Sequence, residues 1–138
     1  MSPVYLPSEI NLGVTVTVIP LSKIIEQEPL IDELVHKEVL GSLRSYPLQL
    51  PLVVMPIEKF LTEYVGAGPD YVKENRESAH MYVVLRGCNR SRAAKELGYS
   101  LIDCLIASDA FHASSLTEKV RVHSVEWEKR MGKLRNSS

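Results

Sequence analysis

Three arginines, Arg86, Arg90 and Arg92, fall within one short stretch, together with Gly87, Cys88, Asn89 and Ser91. Guanidinium groups are planar forks of N–H donors that match phosphate and carboxylate oxygens, and like charges crowded together repel unless an anion joins them. The stretch follows an apolar run, Met81 to Leu85, and precedes Ala93, Ala94 and Leu97, which open a helix that Gly98 can close. Strand, glycine turn and helix start make an anion site, because the first amides of a helix lack internal partners and carry the positive end of the dipole. The chemistry expected at Arg86, Gly87, Cys88, Asn89, Arg90, Ser91 and Arg92 is therefore phosphate binding. The bland alternative is a solvated face whose arginines pair with Glu96 or Asp103.

Cys88 adds a second chemistry. A thiolate beside Arg90 and at a helix start would be stabilised, which suits a sulfur nucleophile, whereas burial would work the other way. Asn89 or Ser91 is the expected cap of the helix. Asn89-Arg90-Ser91 also matches a glycosylation sequon, a reading set aside because the opening Met1-Ser-Pro-Val-Tyr5 has no basic region followed by an apolar one and no signal peptide is expected. Glu33, Glu38, Asp103 and Asp109 are the candidate catalytic bases, and the sequence does not choose among them. Cysteine and histidine show no pair spacing of a zinc site, so no metal ligand set is expected.

The elements that must position this turn read as follows. With 138 residues, 45% hydrophobic and 24% charged, the chain suits one globular domain. A net charge of −1 excludes a uniformly basic nucleic-acid binder but not a local basic site. No apolar run approaches the roughly 20 residues that span a bilayer. With no signal peptide and two cysteines, Cys88 and Cys104, a reducing, cytoplasmic setting is expected. Residues 1–13, with Pro3 and Pro7, read as a loose arm. Val14–Ile19 alternates as a strand, Leu30–Arg44 has helical period, and Leu50–Ile57 reads as a strand whose two prolines confine it to an edge or to bulged positions. Glu58–Val65 is a short helix, residues 71–78 a charged insertion, His80–Leu85 a strand, and Ser100–Ala107 another. The unit from the third strand through the turn and helix to the fourth is one β-α-β element. Ser115 and Glu118 fit a capping box that starts a long C-terminal helix to Leu134. The expected division is an arm at 1–13, a domain at 14–110, and a C-terminal helix with basic tail at 111–138. Lys129, Arg130 and Lys133 in that tail are candidate nucleic-acid contacts.

The turn and its flanks resemble the ParB/sulfiredoxin superfamily. Gly87-Cys-Asn-Arg-Ser-Arg-Ala-Ala-Lys-Glu-Leu-Gly98 follows the glycine turn, arginines and Ala-Ala helix of ParB-type domains. Val18-Ile-Pro-Leu-Ser-Lys-Ile24 is similar to the family's opening strand, and Leu50–Ile57 to its next one. The resemblance covers about Val14 to Ala107. It implies an α/β (α+β) single domain, a small mixed sheet flanked by helices. ParB relatives usually carry glutamate and arginine where this chain has Cys88 and Asn89. Sulfiredoxins carry glycine-cysteine-histidine-arginine, and Gly87-Cys88-Asn89-Arg90 matches three of those four.

Three functions follow from the resemblance. The first is a stand-alone ParB-like domain that binds nucleotide or nucleic-acid phosphate, with nuclease or nucleoside triphosphatase chemistry and a plasmid or phage setting. The second is a sulfiredoxin-like, ATP-dependent reductase of cysteine sulfinic acid, with Cys88 as nucleophile and Asn89 and Arg90 on the ATP phosphates. The third is a non-catalytic adaptor that meets a protein partner through residues 71–78 or the C-terminal helix. ATP or another nucleotide, with Mg2+, is the implied cofactor, and no membrane association is implied.

Overall fold

Leu52, Val53, Val54 and Met55 are consecutive and all fully buried. A strand buried on both faces must be covered by helices on both sides, and this strand is the centre of the fold. The computed structural model describes residues 5–6, 14–27, 32–45, 50–64 and 81–122. The strands are β1 (Tyr5–Leu6), β2 (Thr17–Pro20), β3 (Ile24–Glu26), β4 (Leu52–Pro56), β5 (Tyr82–Arg86) and β6 (Leu101–Ile106). The helices are α1 (Glu33–Ser45), α2 (Ile57–Glu63), α3 (Cys88–Glu96) and α4, residues 110–122, and a 3-10 turn spans Leu21–Lys23.

The strands form one mixed sheet. β5 lies between β3 (parallel) and β4 (antiparallel), and β4 runs parallel to β6 on its other side. Ile102 pairs with both Leu6 and Ile19, and Cys104 with both Thr17 and Leu52. A strand has two edges, so antiparallel β2 takes one edge of β6 while β1 and β4 share the other.

β4 is thus central, and of the two settings its prolines allowed, an edge or a bulge, the ladder shows the second. Pro51 precedes the ladder and Pro56 sits in its last pair, opposite Tyr82, so neither removes an interior bond. A register shift between Val53 and Val54 absorbs the remaining irregularity. β5 and β6 are antiparallel with β4 between them, so the β-α-β unit is not a parallel crossover. Nor is the start of the chain wholly loose. Leu6 is buried in the core and the Tyr5 hydroxyl donates to Asp103 Oδ1, which together hold β1 on β6.

Alternation of side chains along the strands divides the core in two. Leu52, Val54, Val84, Ile102 and Cys104 face α1 and α3, meeting Leu40, Leu43, Ala93 and Ala94. Val53, Met55, Val83 and Leu105 face the other way, onto Phe60 of α2 and Ala113, Leu116 and Val120 of α4. The small residues Ala93 and Ala94 let α3 lie close to the sheet. α1 is capped by Asp32, whose Oδ1 accepts from Leu34 and Val35 N–H at 3.0 and 3.2 Å. α4 is capped by Asp109, which accepts from His112 N–H at 2.7 Å, and not by Ser115, which lies within the helix. Glu118, the other half of the expected capping box, pairs instead with Arg121 one turn on, Nε to Oε2 at 2.9 Å.

The Asp103 hydrogen bond raises the Tyr5 phenol to about 12, with burial and the carboxylate charge acting the same way. A raised value means the folded chain holds this proton more tightly than the unfolded one. The stabilisation is complete below pH about 10 and is lost as pH climbs through about 12. One of the six tyrosines should therefore ionise only near pH 12 in a near-ultraviolet titration, and Tyr5→Phe should delete that step. An unchanged alkaline titration in the variant would place the hydroxyl away from Asp103.

Candidate functional site

The turn between β5 and α3 is a single residue. Arg86 ends the strand, Cys88 begins the helix, and Gly87 between them has φ 103°, ψ 22°, in the left-handed region. No side chain caps this helix. Asn89 and Ser91 are inside it, because α3 starts five residues before Ala93. The first bond of the helix runs from Ser91 N–H to Gly87 O at 2.9 Å. The amides of Asn89 and Arg90 precede it and so point out of the helix end.

The glycine also makes room. A Cβ at Gly87 would stand 2.5 Å from Leu52 Cδ2 and 2.9 Å from Arg90 Nη2. Leu52 and the Arg90 guanidinium, folded back over the turn, both approach the backbone there. Arg90 donates through Nη1 to the carbonyl of Leu50, tying the start of α3 to the approach to β4. Burial pulls this guanidinium down to about 10, the Arg86 charge pulls the same way, and Cys104 opposes them. It stays charged at neutral pH, so two like charges sit close together in a partly dry place.

Both carboxylates expected to pair with the arginines have other partners. Glu96 pairs with His36 of α1, Nε2 to Oε2 at 2.5 Å, and Asp103 accepts from Tyr5. Glu26 pairs with Lys95 at 2.7 Å. α3 has no acidic residue in its first turn. Arg92 donates through Nη1 to Asn89 Oδ1 at 3.3 Å, a weak contact. Arg86 Nε and Arg92 Nη2 are both shielded from solvent and find no partner among the described residues. Ser91 Oγ is in the same condition, fully buried on the core side of α3.

Cys88 lies half-buried against the core shared with α1, with its Sγ 3.8 Å from Val84 O. Gln27 Nε2 donates to that same carbonyl at 3.0 Å. The second cysteine, Cys104, is fully buried, and burial followed by the Asp103 charge pushes its thiol up to about 12, against the pull of Arg90.

No protein-family model matches the chain, and no curated protein matches it. Among solved structures, the C-terminally truncated chromosome-partitioning protein ParB from Caulobacter crescentus, complexed with CTP-gamma-S, is similar over 81% of this chain and 53% of that one. The identity is 16% and the TM-score 0.51. The fold is ParB/sulfiredoxin-like. Sulfiredoxin from Arabidopsis thaliana is also similar, with 22% identity over 77% of this chain and 97% of that one, at a TM-score of 0.47. The chain spans about half the length of the partition-protein structure.

Within this ParB/sulfiredoxin-like fold the seven residues from Arg86 to Arg92 are brought together, since they are contiguous. The candidate bases are not gathered with them. Asp109 caps α4, Asp103 alternates to the face of β6 opposite Cys104, and Glu33 and Glu38 are exposed on α1. Among the described residues no group of three or more His, Cys, Asp or Glu side chains could hold a metal ion. No helix of the described residues is long and apolar enough to cross a membrane. Lys129, Arg130, Lys133 and the 71–78 insertion lie outside the described residues. Sequence reading missed His36 and Leu50, which touch α3 from 60 and 40 residues away. No local pattern marks either, because neither contact has a sequence spacing.

Proposed function

We propose that this chain binds the phosphate of a nucleotide or nucleic acid at the start of α3. The observation that carries the reading is the pair of buried, unpartnered guanidinium nitrogens, Arg86 Nε and Arg92 Nη2, on residues that bracket in sequence the free amides at the start of α3. Leaving a buried donor unpaired costs about 1–3 kcal/mol, and a charged group more, so such donors persist where a partner arrives from outside. A phosphate would accept from Asn89 and Arg90 N–H and from both arginines. Arg90 itself serves as the strut between Leu50 and the turn. Lys129, Arg130 and Lys133 would extend the contact along a nucleic acid.

The reading is one of binding. Hydrolysis of a phosphodiester or a nucleoside triphosphate would need a base, and the four candidate carboxylates have other settings. A Cys88 nucleophile at the start of α3 is the alternative, with its Sγ 3.8 Å from the Val84 carbonyl. The CTP-gamma-S in the ParB neighbour is a reason to test cytidine as well as purine nucleotides.

The test is a thermal-shift panel of ATP, ADP, CTP, GTP and short duplex DNA, each with and without magnesium, at matched ionic strength. A ligand at 100 times its Kd should add about 2.7 kcal/mol to stability. DNA binding would weaken steeply with salt, whereas binding of one nucleotide would depend on it far less. A panel in which nothing raises the melting temperature would overturn the proposal.

A further inference from the structure

Asn89, Arg92 and Glu96 are spaced three and four apart, so they share one face of α3. The His36–Glu96 contact shows that this face meets α1. Arg92 and Glu96 have opposite charge at i and i+4, the spacing at which such side chains pair on a helix. In this protein they do not pair. Glu96 Oε2 is held by His36 Nε2 at 2.5 Å, while Arg92 reaches the other way, to Asn89 at 3.3 Å. Arg92 Nη2 is left buried and unpartnered. The His36 side chain is only 13% exposed and its Nδ1 has no partner, so Glu96 is the polar contact that the imidazole makes.

We infer that His36 is a positioning residue for the anion site: by holding Glu96 on α1 it keeps that carboxylate off Arg92 and leaves the guanidinium for phosphate. This rests on the phosphate-binding reading. Without the imidazole, Glu96 is one side-chain rotation from its i−4 neighbour. A carboxylate there satisfies Arg92 internally and repels the incoming anion. His36 thereby tunes a site it does not touch, through a competitor of the ligand.

A double-mutant cycle tests this, read as the Kd for inorganic pyrophosphate by calorimetry. His36→Leu keeps the volume and removes the ring nitrogen. It should weaken binding roughly two- to fivefold, the range expected of one partly screened charge pair. Glu96→Gln should bind at least as tightly as the parent protein. The double variant should bind like Glu96→Gln, because the competitor has gone. His36→Leu with parental affinity, or a double variant still as weak as His36→Leu, would overturn the inference and indicate a packing role. If His36→Leu does not fold, Glu96→Gln decides: weaker binding than the parent sinks the idea. A parent protein that ignores pyrophosphate, or whose affinity survives loss of Arg86 and Arg92, refutes the underlying reading instead.

Discussion

Gly87→Ala is expected to destabilise the fold by about 2–5 kcal/mol. Two costs combine. An L-residue in the left-handed region costs roughly 1–2 kcal/mol, and forcing a methyl group into a packed site costs roughly 1–3 kcal/mol. Both apply, since φ is 103° and the new Cβ would lie 2.5 Å from Leu52 Cδ2. Leu52 is fully buried in the central strand and has little room to retreat. Gly98 is the internal control, with φ 87° but nothing within 4 Å of a Cβ. Gly98→Ala should cost only the backbone part. Urea denaturation of the two variants side by side measures the difference. Equal costs would mean that Arg90 and Leu52 make way freely, and that the turn is not held as tightly as these distances imply.

Replacing both Arg86 and Arg92 with alanine should reduce phosphate affinity by 100-fold or more. Each charge-assisted hydrogen bond contributes about 1.5–3 kcal/mol, and about 1.4 kcal/mol is a factor of ten. The same double variant should be as stable as the parent, or more so, when no ligand is present. It loses two unpartnered buried nitrogens and relieves the repulsion between Arg86 and Arg90. Affinity and stability moving in opposite directions is the signature of a binding site, because a structural arginine would lower both. Arg90→Ala supplies the contrast. It removes the donor to the Leu50 carbonyl and should lower stability as well as binding. A double Arg86, Arg92 variant that melts well below the parent would show that these side chains serve the fold and not a ligand.

Much of the fold was legible because it rests on local rules. Alternating and continuous apolar runs marked β4, β5 and β6 to within two residues, and the period of Val35, Val39, Leu40 and Leu43 marked α1. The errors came where a local rule competed with a distant partner. Prolines argued for an edge or a bulge at Leu50–Ile57; the strand is central, with both prolines where the ladder needs no amide and a register shift between Val53 and Val54. Ser115 and Glu118 matched a capping box, yet Asp109 starts the helix because its carboxylate meets the His112 amide first. The helix of the site begins at Cys88 and not near Ala93, since a left-handed glycine can turn the chain in one residue. β1 escaped notice because two residues have no period; Leu6 is ordered by the core it fills and Tyr5 by Asp103.

The sequence by itself determined which residues stand at the mouth of α3. They are contiguous, and a glycine between an apolar strand and an alanine-rich helix leaves the chain few other paths. Only the tertiary structure decided how their charges are spent. Arg90 goes to a carbonyl 40 residues away, Glu96 goes to a histidine 60 residues away, and Arg86 and Arg92 are left with unpartnered nitrogens. Hydrogen bonds and ion pairs depend on distance in space, and spacing along a chain fixes that distance only within a helix turn or a strand pair.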